Sequence, residues 1–272
     1  MTQNLPNHDL PVAEVPSALQ RLHEIVARKV RRLAVFLDYD GTLTPIVADP
    51  EKAVLSYSTR QTVRTLAAHM PVAILSGRNL DDIRRRVGID EIIYAGSHGF
   101  DIAGPRGLRK EVATEFLPIL DAAEKELGVK LACIPGALLE RKRFSIAAHY
   151  RQADQSGVVK VKQAVDEIAA RHRELRRIAG KKVYELRPDM DWDKGRAVIW
   201  LLETLGLAQS EVLALYIGDD LTDEDAFRAI RQCGIGIVVS DKPRLTAARY
   251  GLNNSAEVER FLHELVSSSP GC

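Results

Sequence analysis

The sequence predicts an α/β protein whose parallel core sheet is split around an inserted α+β module, and three observations point to it. First, the short apolar runs LAVFLD (33–38), VAILS (72–76) and IIYAG (92–96) alternate with helical patterns near 59–69 and 79–87. That is the rhythm of βαβ units, whose strands are covered on both faces. Second, the rhythm stops at about residue 101, and the strands beyond it are consecutive, with Phe144, Ile146 and Ala148 alternating against Ser145 and His149. Such alternation suits an antiparallel sheet with helices on one face. Third, the first rhythm returns with VLALYIGDD, a helix from about 223, GIGIVVS and a last helix near 255–267. The expected organisation is an N-terminal arm and helix over 1–30, a core over 31–100 and 189–272, and the insertion over 101–188.

In chain order, residues 1–15 are polar and punctuated by prolines, which predicts a mobile arm. Ser17 then caps a helix in SALQRLHEIVARKVRR, with Leu19, Leu22, Ile25, Val26 and Val30 as its apolar positions. Within the insertion, the turn-rich IAGPRGLRK precedes a helix over 111–127. KLACIPG, ALLERKR and FSIAAHYR read as strands, and a second helix over 156–174 leads to KKVYELR. The helix that opens in DWDKGRAVIWLLETLG turns Ala197, Val198, Leu201, Leu202 and Leu205 to the core.

Composition narrows the function classes. At 46% hydrophobic and 28% charged residues, the 272-residue chain has ordinary globular usage and can bury a sizeable core. The 38 Lys and Arg nearly balance the 37 Asp and Glu, so no chain-wide field attracts nucleic acid or an anionic membrane. Any affinity for phosphate must be local. Cys133, Cys233 and Cys272 lie too far apart for a metal knuckle or a disulfide framework, which fits a reducing cytoplasm. No run approaches the ~18 apolar residues read as a membrane span, and the N-terminus lacks the apolar core of a signal peptide.

The informative stretches are acids at strand ends. In open parallel sheets, ligands bind outside the carboxyl ends of strands, and DYDGT places Asp38 at such an end. In an extended chain Asp38 and Asp40 point the same way, with Gly41 letting the backbone turn and Thr42 offering a hydroxyl. Two such carboxylates repel unless a cation or a shared proton compensates, and hard oxygen ligands favour Mg²⁺. YIGDDLTDEDAF repeats the theme, with five acids in seven residues where helix capping needs fewer. Ser76, Gly77 and Arg78 close the second strand ahead of a helix capped by Asn79 or Asp81, a seat for phosphate. Lys194 opens a helix, where its charge opposes the dipole unless something anionic faces it. Neither acidic stretch fits a calcium loop: counted from Asp219 the sixth and twelfth positions are Glu224 and Ile230, and from Asp38 they are Leu43 and Asp49.

Taken in order, DxDGT, SGR, the lysine and GDDxxDED resemble the four motifs of the haloacid dehalogenase superfamily of phosphohydrolases. GDDLTDEDAF, YAGSHGF, LERKRFSIAAHYR and YELRPDMDWDKGRAV look further like the trehalose-6-phosphate phosphatases within it. The resemblance implies a Rossmannoid core with the insertion as its α+β cap domain, and a Mg²⁺-dependent phosphatase releasing trehalose and phosphate. It implies that Asp38 is the nucleophile, forming an aspartyl-phosphate, and that Asp40 is the general acid and then base. Lys194 would compensate charge, and Thr42 and Ser76 would orient equatorial oxygens. Asp38, Asp219 and the main-chain carbonyl of Asp40 would surround the metal, supported by Asp220 and Asp223. Arg78, His98 and Gly99 from the core, with Glu140, Lys142, His149, Arg151, Glu185 and Arg187 from the cap or hinge, are the candidates for reading the sugar.

Other readings share some of these residues. AGSHG at 95–99 nearly spells the acyl-hydrolase GxSxG, but Ala95 takes its first position and FDIAG after it reads as extended. A non-catalytic binding protein would lack Asp38 or Asp40, and both are present. A phosphotransferase would use the same aspartyl-phosphate, and phosphatases of sucrose 6-phosphate or of glucosyl and mannosyl phosphates lie closer still. Trp192 and Trp200 read as packing residues, because Trp200 lies within an apolar helix. No Walker-type loop or dinucleotide fingerprint calls for a nucleotide cofactor. The expected partner is a small sugar phosphate, with no nucleic acid or membrane, for a cytoplasmic monomer or small homo-oligomer.

Overall fold

The computed structural model describes residues 9–27, 32–47, 49–180, 182–208 and 212–268. In chain order the strands are β1 Leu10–Pro11, β2 Arg32–Asp38, β3 Val72–Leu75, β4 Ile93–Gly96, β5 Asp101–Ala103, β6 Arg109–Glu111, β7 Leu138–Lys142, β8 Ser145–His149, β9 Leu175–Gly180, β10 Val183–Pro188, β11 Val212–Gly218, β12 Gly234–Val239, β13 Leu245–Thr246 and β14 Tyr250–Leu252. The helices are α1 Leu22–Val26, α2 Tyr57–His69, α3 Leu80–Val87, α4 Leu117–Leu131, α5 Gln155–Arg171, α6 Lys194–Thr204, α7 Leu221–Ala229 and α8 Ser255–Ser268. They sort into two units, Met1–Lys110 with Trp192–Cys272, and Glu111–Asp191.

The first unit is built on one sheet in the order β14-β12-β11-β2-β3-β4-β5-β6, parallel from β14 through β4. Its central strands β3 and β11 are buried along their whole length, as the continuous apolar runs require. Successive residues face opposite layers. Val35, Leu37, Val72, Ile74, Leu213, Leu215 and Ile217 pack with α2, α3 and α8, whereas Ala34, Phe36, Ala73, Leu75, Ala214 and Tyr216 pack with α6 and α7. Asp38 continues the parity of Phe36 and so points toward the α6 layer.

The structure moves the boundaries that the sequence suggests. Strand β5 pairs antiparallel with β4, Gly96 opposite Asp101, and β6 extends that edge, so the insertion begins at Glu111 rather than at 101 and ends at Asp191 rather than at 188. A hairpin of three-residue strands carries no βαβ rhythm, and in the sequence it merges with the insertion. Residues 9–27 likewise belong to the core instead of forming a separate arm. Leu10 and Pro11 pair with Thr246 and Leu245, and Ala18, Leu22 and Ile25 are buried in it. Ser17 forms a bridge with Gly251 instead of capping a helix, and α1 starts only at Leu22. Residues 1–8 of the expected arm and 28–31 of the expected helix lie outside the described residues.

The second unit is a four-stranded antiparallel sheet, β7-β8-β10-β9, with α4 and α5 on one face. Ile146, Ala148, Leu175 and Leu186 meet Leu120, Leu127, Val161, Val165 and Ile168 there. KLACIPG is not a strand: α4 continues through Leu131, and Leu131 joins Leu127 in the core at the i, i+4 spacing of a helix. Asp154 starts α5 by accepting from Gly157 N at 2.7 Å.

Candidate active site

The carboxyl ends of β2, β3 and β11 converge on one group of charges. Lys194 is the first residue of α6, whose cap is Asp193, its carboxylate accepting from Arg196 N at 2.8 Å. The Lys194 side chain is 2% exposed, and its Nζ donates to Asp38 Oδ1 and to Asp223 Oδ1, each at 2.7 Å. The cation that opposes its own helix dipole therefore sits between two buried acids. Burial pulls the Lys194 pKa down, but Asp223 and Asp38 outweigh it and hold the ammonium charged. Burial pushes the Asp38 carboxyl well above its usual range, with Lys194 opposing and Asp223 and Asp219 adding to the rise.

Asp223 is completely buried and fully engaged. Its Oδ1 also accepts from Tyr216 Oη at 2.7 Å, and its Oδ2 accepts from Asp220 N at 2.9 Å, closing a capping box at the start of α7. The Asp220 carboxylate accepts from Leu221 N at 2.6 Å, so its oxygen serves the helix start. One oxygen each from Asp38, Asp219 and Asp223 lie within 4.8 Å of one another, whereas the Asp40 and Asp220 carboxylates are not in that group.

These three acids suit a hard divalent cation. Asp219 Oδ1 is buried with no hydrogen-bond partner among the described residues, and the donor set is all oxygen. Burial, with repulsion from Asp223 and Asp220, raises the Asp219 pKa to about 7 when no cation is present. Gly41 has φ +91°, and a Cβ on it would lie 2.1 Å from Asp219 Oδ2. Only glycine can turn the chain there and leave that carboxylate its place. Gly41→Ala is therefore expected to cost more than about 1 kcal/mol of stability through the backbone alone. It should also displace Asp219, which a calorimetric titration with MgCl₂ would read as weakened binding.

The chain leaves the extended conformation at Tyr39, so the alternation that would point Asp38 and Asp40 the same way does not run through to Asp40. Leu43 N and Thr44 N both donate to the Tyr39 carbonyl at 3.0 Å, and Gly41 N donates to Thr44 O at 2.8 Å. Asp40 is instead clamped by Arg78, from Nε to Oδ2 and from Nη2 to Oδ1, each at 2.7 Å. Thr42 is fully buried, and its Oγ1 has no partner among the described residues. Ser76 is buried too, its Oγ accepting from Arg78 N at 3.1 Å.

His98 and Gly99 lie in a left-handed turn after β4, where Ser97, His98 and Gly99 have φ of 49°, 59° and 94°. The turn is tied to the end of β3, Ser97 N donating to Arg78 O at 2.7 Å and His98 N to Ser76 O at 2.8 Å. The Gly99 carbonyl accepts from Trp192 Nε1 at 2.9 Å, and a Cβ at Gly99 would meet Ala197 Cβ at 2.5 Å. Gly99 thus has a packing reason, and Trp192 an anchoring one.

In the second unit Glu140 and Glu185 both pair with Ala147 in register, on the sheet face away from α4 and α5. His149 Nε2 lies 2.8 Å from Glu140 Oε2, and Lys142 Nζ lies 3.5 Å from Glu185 Oε1. Ser145 Oγ donates to Glu185 Oε1 at 2.6 Å, and Arg187 Nε to Glu185 Oε2 at 2.8 Å. The His149 bond, opposed by burial, leaves the Glu140 carboxyl below its usual range. Arg151, in the exposed turn after β8, is outside this network.

Three residues escape the sequence reading. Tyr216 was legible only through the two-residue parity that puts it on the layer of Phe36 and Asp38. Glu224 accepts from Ala247 N at 2.7 Å and holds the loop after β13, which accounts for one of the acids in excess of capping. Asp82 faces Arg78 and Arg86: Arg86, four residues on, shares its face of α3, and Arg78 lies just before that helix.

A family model described as trehalose-phosphatase matches residues 36–256. The trehalose-phosphate phosphatase of Mycobacterium tuberculosis is 43% identical over 264 residues, which cover 95% of this chain and 67% of that protein. The C-terminal domain of C. albicans trehalose-6-phosphate phosphatase superposes with a TM-score of 0.78 at 24% identity, covering 93% of this chain and 98% of that one. A haloacid dehalogenase-like hydrolase from Bacteroides thetaiotaomicron shares the fold at a TM-score of 0.61 and 16% identity, over 86% and 98% of the two chains.

Proposed function

This chain belongs to the trehalose-phosphatase family of haloacid dehalogenase phosphohydrolases, and we propose that it hydrolyses trehalose 6-phosphate through an aspartyl-phosphate on Asp38. The observation that carries the reading is Lys194 Nζ, 2.7 Å from both Asp38 and Asp223 at the carboxyl end of β2. An ammonium so placed opposes the burial that disfavours an anion at Asp38 and faces the charge that an arriving phosphate brings.

In the first half-reaction an Asp38 oxygen attacks phosphorus in line. The bond from phosphorus to the sugar oxygen breaks, its electron pair stays on that oxygen, and the Asp40 carboxyl supplies the proton. In the second half-reaction a water attacks phosphorus and gives its proton to Asp40. The bond to Asp38 breaks with its electron pair returned to the carboxylate, and inorganic phosphate leaves. Thr42 Oγ1 would donate to an equatorial phosphate oxygen, a use for an otherwise unpaired buried hydroxyl. Asp38 and Asp219, supported by Asp223, would hold a magnesium ion, which when bound supplies positive charge against the carboxylate and the phosphate. Tyr216 and Asp220 N hold Asp223, and Asp223 in turn holds Lys194.

The core motifs address only the phosphate. Within the second unit, the polar face carrying Glu140, Lys142, His149, Glu185 and Arg187 pairs donors with acceptors, which is the chemistry that sugar hydroxyls need. Among the described residues, the exposed thiols Cys133 and Cys233 fit a reducing compartment. Among the described residues no helix is long and apolar enough to cross a membrane.

Phosphate release from trehalose 6-phosphate, sucrose 6-phosphate, glucose 6-phosphate and p-nitrophenyl phosphate tests the substrate. The trehalose ester should lead the panel, and equal rates across it would refute the assignment. Cation binding has its own signature in stability. An acid whose folded pKa is raised stabilises the fold below its unfolded pKa of 3.8, and this contribution is lost as pH rises through about 7, when the acids repel. A bound cation offsets that repulsion and must displace a proton below this range. Added MgCl₂ should therefore raise Tm at pH 8 and progressively less on acidification below 7. Asp219→Asn should flatten that dependence in a thermal melt.

A further inference from the structure

We propose that Asp82 is a positioning residue for leaving-group protonation: it fixes the guanidinium of Arg78, and that guanidinium holds the Asp40 carboxyl group where the sugar oxygen departs. The inference rests on the assignment of Asp40 as the proton donor.

The Asp40 side chain is 44% exposed, and its carboxylate bonds among the described residues are the two from Arg78. Its direction is thus set by the guanidinium. Arginine is a long side chain with a planar head, and a head gripped along one edge can still swing as a body with its stem. A second grip removes that freedom. Arg78 Nη1 donates to Asp82 Oδ2 at 3.1 Å, so two carboxylates fix the guanidinium from different edges, and the Arg78 side chain is only 12% exposed.

Asp82 is itself tied down. Its Oδ2 accepts from Arg86 Nε at 2.9 Å and its Oδ1 from Arg85 Nη2 at 2.5 Å. Arg86 continues to the Glu51 carboxylate at 2.7 Å and to the Glu51 and Ala53 carbonyls at 3.1 and 3.4 Å. The Ala53 carbonyl also accepts from Tyr39 Oη at 3.0 Å, and the Arg78 guanidinium lies 5.7 Å from the centre of the Tyr39 ring. The contacts form a closed loop that leaves Asp40, crosses one face of α3 and returns to the residue beside Asp40. A surface salt bridge alone would need none of this.

The leaving group separates positioning from mere support. A sugar oxygen needs the proton that Asp40 gives as the phosphorus–oxygen bond breaks, whereas a p-nitrophenolate departs without one. Because Asp40 also takes the water's proton in the second half-reaction, which both esters share, leaving-group release is read in a single turnover with enzyme in excess: Asp82→Ala is expected to slow it for trehalose 6-phosphate by about 10–100-fold, the size of loss usual when a group that orients a reactive ligand is removed. On p-nitrophenyl phosphate the loss should stay within about threefold, and Asp82→Glu, which keeps an acceptor for Nη1, should recover most of the sugar-ester rate. Equal losses on both esters, or no loss on either, would overturn the proposal. Should Asp82→Ala not fold, Asp82→Ser keeps a hydroxyl in the first turn of α3, cannot reach Nη1, and must give the same split. Asp40→Asn run beside it separates the two assignments. If that variant shows no preference for the aryl ester, the role of Asp40 fails; if it does and Asp82→Ala does not, only the present inference fails.

Discussion

Asp38→Asn should lose at least ~10⁴-fold in kcat on trehalose 6-phosphate, about 5 kcal/mol of barrier, with a melting temperature within a few degrees of the parent. The two effects part because the residue is costly to the fold and indispensable to the chemistry. Burial works against an anion at position 38, so an amide of the same shape relieves that penalty. Asparagine can still accept from Lys194, whose charge remains matched by Asp223 at 2.7 Å. The amide oxygen cannot form the phosphoryl ester, and no second carboxylate among the described residues occupies its place. Steady-state rates with Mg²⁺ present and with it chelated, beside a thermal melt, make the comparison. Activity near that of the parent would remove the nucleophile from the scheme.

Lys194→Met should damage both fold and rate. Two buried carboxylates lose the ammonium they share, and breaking a buried pair from one side costs roughly 3–5 kcal/mol, on the order of 10 °C in Tm for a chain of this size. Phosphoryl transfer should fall by at least ~10³-fold, because an anion then meets an anion with one cation fewer. A divalent cation or mild acid should restore part of the stability and none of the rate. Combining Lys194→Met with Asp38→Asn should cost less stability than the two separate losses added together, since the second change removes a charge that the first left stranded. Additive losses would show that the two side chains do not act as the pair seen in the structure.

Much of the fold was legible because burial on both faces writes a continuous apolar run, and LAVFLD, VAILS and VLALY are all central strands. The insertion was legible by its change of period. KLACIPG was not, because a short apolar run reads equally as a strand or as the end of a helix, and Leu131 packs on the turn before it. The hairpin of β5 and β6 is too short to carry a period. At the site, position told most: an acid at a strand end and a lysine at a helix start against its dipole both reached the centre. What the sequence could not supply were partners distant in the chain. Nothing near Asp40 announces Arg78, and nothing in VLALY says that the Tyr216 hydroxyl will reach Asp223.

The sheet order has a consequence for how the protein is made. Strand β2, which carries Asp38, lies between β3 and β11, and an entire second unit is synthesised before β11 emerges. During translation the nascent chain must hold an apolar strand edge open, while Glu111–Asp191, a contiguous stretch with its own core, can fold ahead of it. Closing that edge brings together residues far apart along the polypeptide, the slow kind of closure. Lys194, Asp219 and Asp223 leave the ribosome with or after the missing half, so a prematurely terminated chain presents half a sheet and no charge-balanced nucleophile.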